Sequence, residues 1–331
     1  MIHLDKHKHR SVGRCWLALL VAHCSAALVF AQNANTPPQP ADDDKFIFCE
    51  TETEVQLRGG GMAGNGWDGP GRNPATIFWH VEAATPDMVA DQRTALIAAM
   101  QAYASVVRIT FRELPVANRN VQVDWNFATG DHCAVESAEC GDADCPFDGA
   151  GGVLAHAGFP PGVNSTCVNP MPETFAGNVH FDEAETWELD NVLGAGPYSL
   201  RYVAVHELGH SIGLVHSGQA GDVMFPSLNS STVFTGLSAN DIANIRSGYA
   251  TGTGSVVTLN QSGIWVDGAF GGTELGTIGN PFDTVIEGVN AVPPYTTNVV
   301  VHIDAGTYTE TMTITDNMIL QAENGSAVIG G

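Results

Sequence analysis

The segment His206-Glu207-Leu208-Gly209-His210-Ser211-Ile212-Gly213-Leu214-Val215-His216 leaves the chain around it little freedom in how to fold. Helical residues four apart share a face, so a helix through 206–210 sets two imidazoles side by side, one turn apart. Such a pair can grip one Zn²⁺ and leave room for a third ligand and a water. Glu207 stands beside the first imidazole, where its carboxylate can take a proton from that water. Gly213 adopts positive φ without a Cβ clash, which lets the chain leave the helix and swing back. His216 then returns to the same metal. The first two histidines with their glutamate are a weak signal alone, because helices rich in Glu and His produce that spacing by accident. A glycine and a third histidine at fixed positions are far more specific. A methionine-bearing turn under the metal is the second feature such a site needs, and Asp222-Val223-Met224-Phe225-Pro226 follows a short loop after His216. Met224 alone would read as an ordinary core residue; in this setting it reads as that turn.

Three further segments extend the pattern. Upstream lies Pro146-Phe147-Asp148-Gly149-Ala150-Gly151-Gly152-Val153-Leu154-Ala155-His156-Ala157, then His180-Phe181-Asp182-Glu183-Ala184-Glu185-Thr186-Trp187. Downstream, Leu237-Ser238-Ala239-Asn240-Asp241-Ile242 opens a closing helix, and Ser217 follows the third histidine directly. With these motifs the chain resembles the metzincins, and within them the matrixins, the group that includes the matrix metalloproteinases. The resemblance covers about 66–250. It implies an α+β fold: a twisted mixed sheet with two long helices, the second carrying the zinc histidines.

The same resemblance implies zinc-dependent hydrolysis of peptide bonds in extracellular proteins, through a water on the zinc with Glu207 as general base. An extended substrate would lie against an edge strand at 152–157, touching Leu154 and Ala155. The pocket beside the zinc would be lined by Val205 and by the loop after Pro226. Leu228 stands where family members often carry Tyr. A calcium site is implied with carboxylates from Asp148, Asp182 and Glu185 and carbonyls of Gly149, Gly151 and Val153, oxygen ligands that suit Ca²⁺. A second family calcium site is altered, with Asn178 and Gln122 in place of acids.

A second, structural zinc is implied at His156 and His180. Its other ligands stay open: His132 with Asp142, Cys140 with Asp142, or replacement of the zinc by disulfides. The family's propeptide motif PRCGxPD has no match, and Cys49 sits in different surroundings, Phe46-Ile47-Phe48-Cys49-Glu50.

Outside the motifs, Lys6, Lys8, Arg10 and Arg14 precede an apolar run that ends at Val29-Phe30-Ala31. That is a secretory signal cleaved near Ala31, too short and too interrupted for a membrane anchor. The domain reading is thus 1–31 signal, 32–65 Pro/Gly/Asp-rich linker or short pro-segment, 66–250 catalytic, and 251–331 a separate β-rich segment. The mature chain would keep Cys49, Cys133, Cys140, Cys145 and Cys167, which favour disulfides in an oxidising compartment with one thiol left over. Thirteen basic against 36 acidic residues, net −23, argue against a nucleic-acid surface.

Strands are expected at Ala75–Val81, 108–111 and 121–127, with an amphipathic helix over 88–107 burying Leu96, Ile97, Met100 and Tyr103. From 251 onward, short β-rich runs recur at 299–303, 311–314, 318–322 and 328–329. The stretch from Asn280-Pro281-Phe282-Asp283 to Gly306-Thr307-Tyr308 resembles the start of a right-handed parallel β-helix of the pectin-lyase type, expected to be truncated here. Such a domain implies a cell-surface or polysaccharide contact. The competing reading is a β-helix adhesin whose zinc module does not cut.

Overall fold

The computed structural model describes residues 45–46, 60–81, 89–115, 121–129, 147–161, 176–190, 197–228, 232–293, 296, 298–315 and 317–330. Alternating apolar residues make strands β2 (Ala75–Val81) and β3 (Ile109–Glu113), each burying every second side chain. Parallel strands need a crossover, and helix α1 (Val89–Ala104) supplies it between these two. Strands β4 (Val123–Ala128), β5 (Ala155–Ala157) and β6 (Val179–Asp182), with β10 (Ser255–Val257) from further along the chain, complete a six-stranded sheet ordered β10-β3-β2-β4-β6-β5. Neighbours are parallel except at one edge, where β5 runs antiparallel to β6. Among the core side chains, Trp79, Phe111, Trp125 and Phe181 are fully buried, and Phe181 stacks on Phe127 at 4.9 Å.

Of the helix residues expected to face inward, Leu96, Met100 and Tyr103 are buried and Ile97 is half-buried. The helix stops at Ala104 because Val107 and Arg108 leave it for the sheet region, where Arg108 N–H donates to the carbonyl of Ala250 at 2.8 Å. The edge strand is shorter than the sequence suggests. Gly151 and Gly152 take φ of 88° and 118°, so regular pairing begins only at Ala155.

Two very short pairings frame this body. Strand β7 (Trp187–Glu188) pairs with β8 (Tyr198–Ser199), and β1 (Lys45–Phe46) pairs antiparallel with β9 (Ser227–Leu228) just after the methionine turn. Helix α2 (Leu200–Ser211) follows β8, its first turn capped by the Ser199 hydroxyl accepting from Tyr202 N–H at 3.2 Å. It packs against α1, whose Tyr103 hydroxyl donates to the Val205 carbonyl at 3.0 Å. At its far end Trp67 Nε1 donates to the Ser211 carbonyl at 2.7 Å, and the Tyr249 hydroxyl donates to that of Ile212 at 3.0 Å.

Gly209 lies where three elements meet. A Cβ there would fall 2.4 Å from Met224 Sδ and 2.7 Å from Tyr103 Oη. Gly209→Ala is therefore expected to destabilise the fold by about 1–3 kcal/mol through overpacking, read as a lower urea midpoint at unchanged slope.

Helix α3 (Ala239–Gly248) closes the motif-bearing region. Beyond it the chain does not leave the sheet at once: β10 (Ser255–Val257) adds in parallel to β3. A four-residue helix, α4 (Leu259–Ser262), then presents Leu259 N–H to Glu113 Oε2 at 2.7 Å. Glu113 is also the buried partner of the Arg93 guanidinium, which lies 5.4 Å from the Trp79 ring. Strands β11 (Ile264–Val266), β12 (Val299–Tyr308) and β13 (Met318–Ile329) form a separate all-parallel sheet. Its inner residues Ile264, Val266, Val301 and Ile303 pack on Val285 and Val289 of helix α5 (Val285–Asn290). The expected strand at 311–314 does not form, and 328–329 belong to the same long strand as 318–322.

Candidate metal centre

Helix α2 carries His206 and His210 on one face, and both are buried. The Nδ1 of His206 lies 2.6 Å from the Val223 carbonyl and that of His210 lies 2.8 Å from the Leu214 carbonyl. A carbonyl accepts only, so each Nδ1 must donate, and in the neutral ring Nε2 then keeps its lone pair. Gly213, at φ 105°, turns the chain out of the helix, and the return segment is held by Val215 N–H donating to the Gly61 carbonyl at 3.1 Å. His216 thereby comes back to the helix. Its Nε2 is 3.2 Å from that of His210, which is 3.1 Å from that of His206.

Lone pairs facing one another at this distance repel unless a cation lies among them. Tetrahedral zinc with Zn–N bonds of about 2.0–2.1 Å places its nitrogens about 3.3 Å apart, so the imidazole set fits that metal. Burial pushes His206 well below the ordinary histidine range and, with the neighbouring His216 adding to it, pushes His210 down to about 3. Both rings are thus neutral at physiological pH, the ligating form. Glu207 is wholly buried, and among the described residues neither carboxylate oxygen has a hydrogen-bond partner. Burial pushes its carboxyl well up. An orphaned carboxyl beside three inward lone pairs is a second sign that a cation and a polar ligand belong there.

The methionine turn is braced from α3. Asp241, fully buried, caps its own helix with Ser238 and also accepts from Val223 N–H at 2.9 Å and Met224 N–H at 3.4 Å. Asp222 accepts from the hydroxyls of Ser217 and Ser238 and from Asn240 Nδ2, and these hydrogen bonds hold its pKa down against the opposing effect of burial. The Ser238-x-x-Asp241 spacing announces a capping box. Nothing local announces that the same carboxylate also holds a turn 17 and 18 residues upstream.

The other expected sites are partly assembled. His156 and His180 are register partners on β5 and β6 with Nε2 and Nδ1 3.0 Å apart, and Phe147 stacks on His156 at 4.8 Å. His132, Asp142, Cys49, Cys133, Cys140, Cys145 and Cys167 lie outside the described residues, as does the leader through Ala31. In the calcium set, Asp148 Oδ1 accepts from Val153 N–H at 3.1 Å, Glu185 accepts from Gly151 N–H, and Asp182 accepts from Ala184 N–H at 2.8 Å. These bonds tie the glycine loop to the 182–185 turn. Among the described residues, the groups whose three side-chain ligand atoms all lie close together are His206/His210/His216 and the acidic Glu274/Asp283/Glu287.

Of the expected substrate contacts, Leu154, Ala155 and Val205 are fully buried and Leu228 is 3% exposed, while Pro226 is half-buried. The packing of α2 against α1 and β5 closes Leu154 and Val205 off from solvent. The three residues of β5 are buried as well, Ala155 and Ala157 completely and His156 at 4% exposure.

A mixed sheet with one antiparallel edge strand, a helix bearing two of three convergent imidazoles and a braced methionine turn define a class, the α+β metallopeptidase-type catalytic domain. The matrixin family model matches residues 71–250, more than half of the chain. The chain belongs to the matrixin peptidase family. It is 36% identical over 183 residues to stromelysin-1 of Mus musculus, covering 54% of this chain and 33% of that protein. It is 36% identical over 177 residues to interstitial collagenase of Equus caballus, covering 52% and 31%. With macrophage metalloelastase of Rattus norvegicus the identity is 39% over 178 residues, covering 52% and 32%. The chain thus spans about a third of the length of these relatives. Among the described residues, no helix is long and apolar enough to cross a membrane.

Proposed function

We propose that this chain is a secreted zinc metalloendopeptidase that hydrolyses internal peptide bonds of extracellular proteins. The observation that carries the reading is the convergence of the three Nε2 atoms beside the buried, unpartnered carboxyl of Glu207. His206, His210 and His216 hold Zn²⁺, with Val223 and Leu214 fixing two of the rings through Nδ1. The metal, when bound, polarises the scissile carbonyl and acidifies a water. Glu207 takes the proton of the attacking water and returns it to the departing amine nitrogen. Strand β5, at the sheet edge, offers main-chain groups to which an extended peptide adds as a further strand, a mode that any sequence can satisfy.

The leader through Ala31 directs export in this reading. His156 and His180 serve a structural zinc, and the loop 148–153 with Asp182 and Glu185 serves Ca²⁺. The all-parallel β11–β13 sheet supports the β-helix reading of 251–331 and a surface or polysaccharide contact there. Peptide cleavage is expected to disappear with a zinc chelator and to return on adding Zn²⁺, followed with an internally quenched peptide. Cleavage that survives full removal of zinc would overturn the proposal.

A further inference from the structure

A cavity of about 220 Å³ opens between β3 and the segment around β11. In the sheet, β2, β4 and β6 stand between β3 and the edge strand β5. Its lining includes Arg112, Pro115, Leu259, Trp265, Thr277 and Ile278. The alternation of β3 buries Phe111 and Glu113 and leaves Arg112 half-buried on the opposite face.

The charge balance here is unusual for so acidic a chain. Glu113, which also borders the cavity, is already neutralised by Arg93 and further bound by Leu259 N–H. Among the described residues, the Arg112 side chain has no hydrogen-bond or ion-pair partner. A half-buried guanidinium left uncompensated in a protein of net charge −23 is a standing invitation to a carboxylate.

The walls say what accompanies that charge. Trp265 is held rigid: its Nε1 donates to the Ser262 carbonyl at 3.2 Å, and His302 stacks on one face of the ring at 4.2 Å with planes 11° apart. Pro115 and the buried Leu259 add apolar lining, and Ile278 is 72% exposed, the most open large apolar side chain among the described residues. A fixed aromatic wall, an apolar rim and one unpaired fork-shaped cation match a ligand with a single carboxylate next to an apolar side chain.

We propose that this cavity is a binding site for the C-terminal end of a polypeptide, with the terminal carboxylate on Arg112 and an apolar last side chain against Trp265. The site needs no metal and no Glu207, so it stands or falls separately from the peptidase reading. The test uses the full chain labelled with ¹⁵N and follows the Trp265 indole N–H signal, assigned with Trp265→Phe. N-acetyl-leucine and N-acetyl-leucinamide are the probes, alike except for the charge.

The acid is expected to shift the signal with an affinity at least about tenfold above that of the amide. Arg112→Gln is expected to remove the difference while leaving the unliganded signal in place. Arg112→Lys should keep part of it, because the charge remains but the fork is lost. Equal binding of acid and amide to the unmodified chain overturns the proposal, whatever the variants do. So does an acid affinity unchanged in Arg112→Gln.

Discussion

Glu207→Gln is expected to lower peptide cleavage by about 10²–10⁴-fold, the usual worth of a positioned general base, while zinc content is unchanged. The substitution keeps the shape of the side chain and removes only its ability to accept and return a proton. None of the three imidazoles uses Glu207 as a hydrogen-bond partner: His206 and His210 are oriented by backbone carbonyls. The metal should therefore stay. The fold should stay too, because burial already favours the neutral form of the Glu207 carboxyl and a neutral amide of the same shape takes its place. Turnover measured as kcat/KM beside zinc content by atomic absorption separates the outcomes. Retained cleavage would remove Glu207 from the mechanism, and lost zinc would make it a support for the ligands instead.

Asp241→Ala should produce the largest loss of stability, about 3–5 kcal/mol. Three amides lose their acceptor: Ser238 N–H at 3.0 Å, Val223 N–H at 2.9 Å and Met224 N–H at 3.4 Å. Each donor left buried and unpaired costs about 1–3 kcal/mol. In a domain of this size that sum lowers Tm by about 10 °C or more. Ser238→Ala is the comparison, since it removes the hydroxyl cap on the same helix for about 1 kcal/mol. The excess in Asp241→Ala measures the brace on the methionine turn. Because the Val223 carbonyl orients His206, zinc should also dissociate faster from Asp241→Ala than from Ser238→Ala. Equal losses in the two variants would leave Asp241 as a helix cap and nothing more.

The metal centre was readable in advance because its information is local. Two histidines one helical turn apart and a glycine free to take positive φ fix three ligands within a few residues, and the structure places all three Nε2 atoms together. Strand β2 and the buried face of α1 were legible for the same reason, through periodicity.

What escaped depends on partners distant in sequence. Asp241 looks like a cap until the methionine turn folds against it. The β5 strand is cut short by two glycines whose positive φ is visible only once the loop has closed around Asp148. The Val205 carbonyl accepts from the Tyr103 hydroxyl of α1, 102 positions upstream, a contact that no local pattern announces.

The pairing of β10 with β3 bears on how the protein can be dissected in the laboratory. A recombinant fragment trimmed at the end of α3 would keep every metal ligand and still be a poor reagent. It would strip β3 of its neighbour along Thr110, Phe111 and Arg112, laying bare a row of unsatisfied amides and carbonyls that invites pairing between molecules. It would also take the Leu259 amide from the Glu113 carboxylate in the interior. The sensible cut lies after Ser262, so the smallest well-behaved fragment borrows a strand and a helical turn from sequence beyond its last motif.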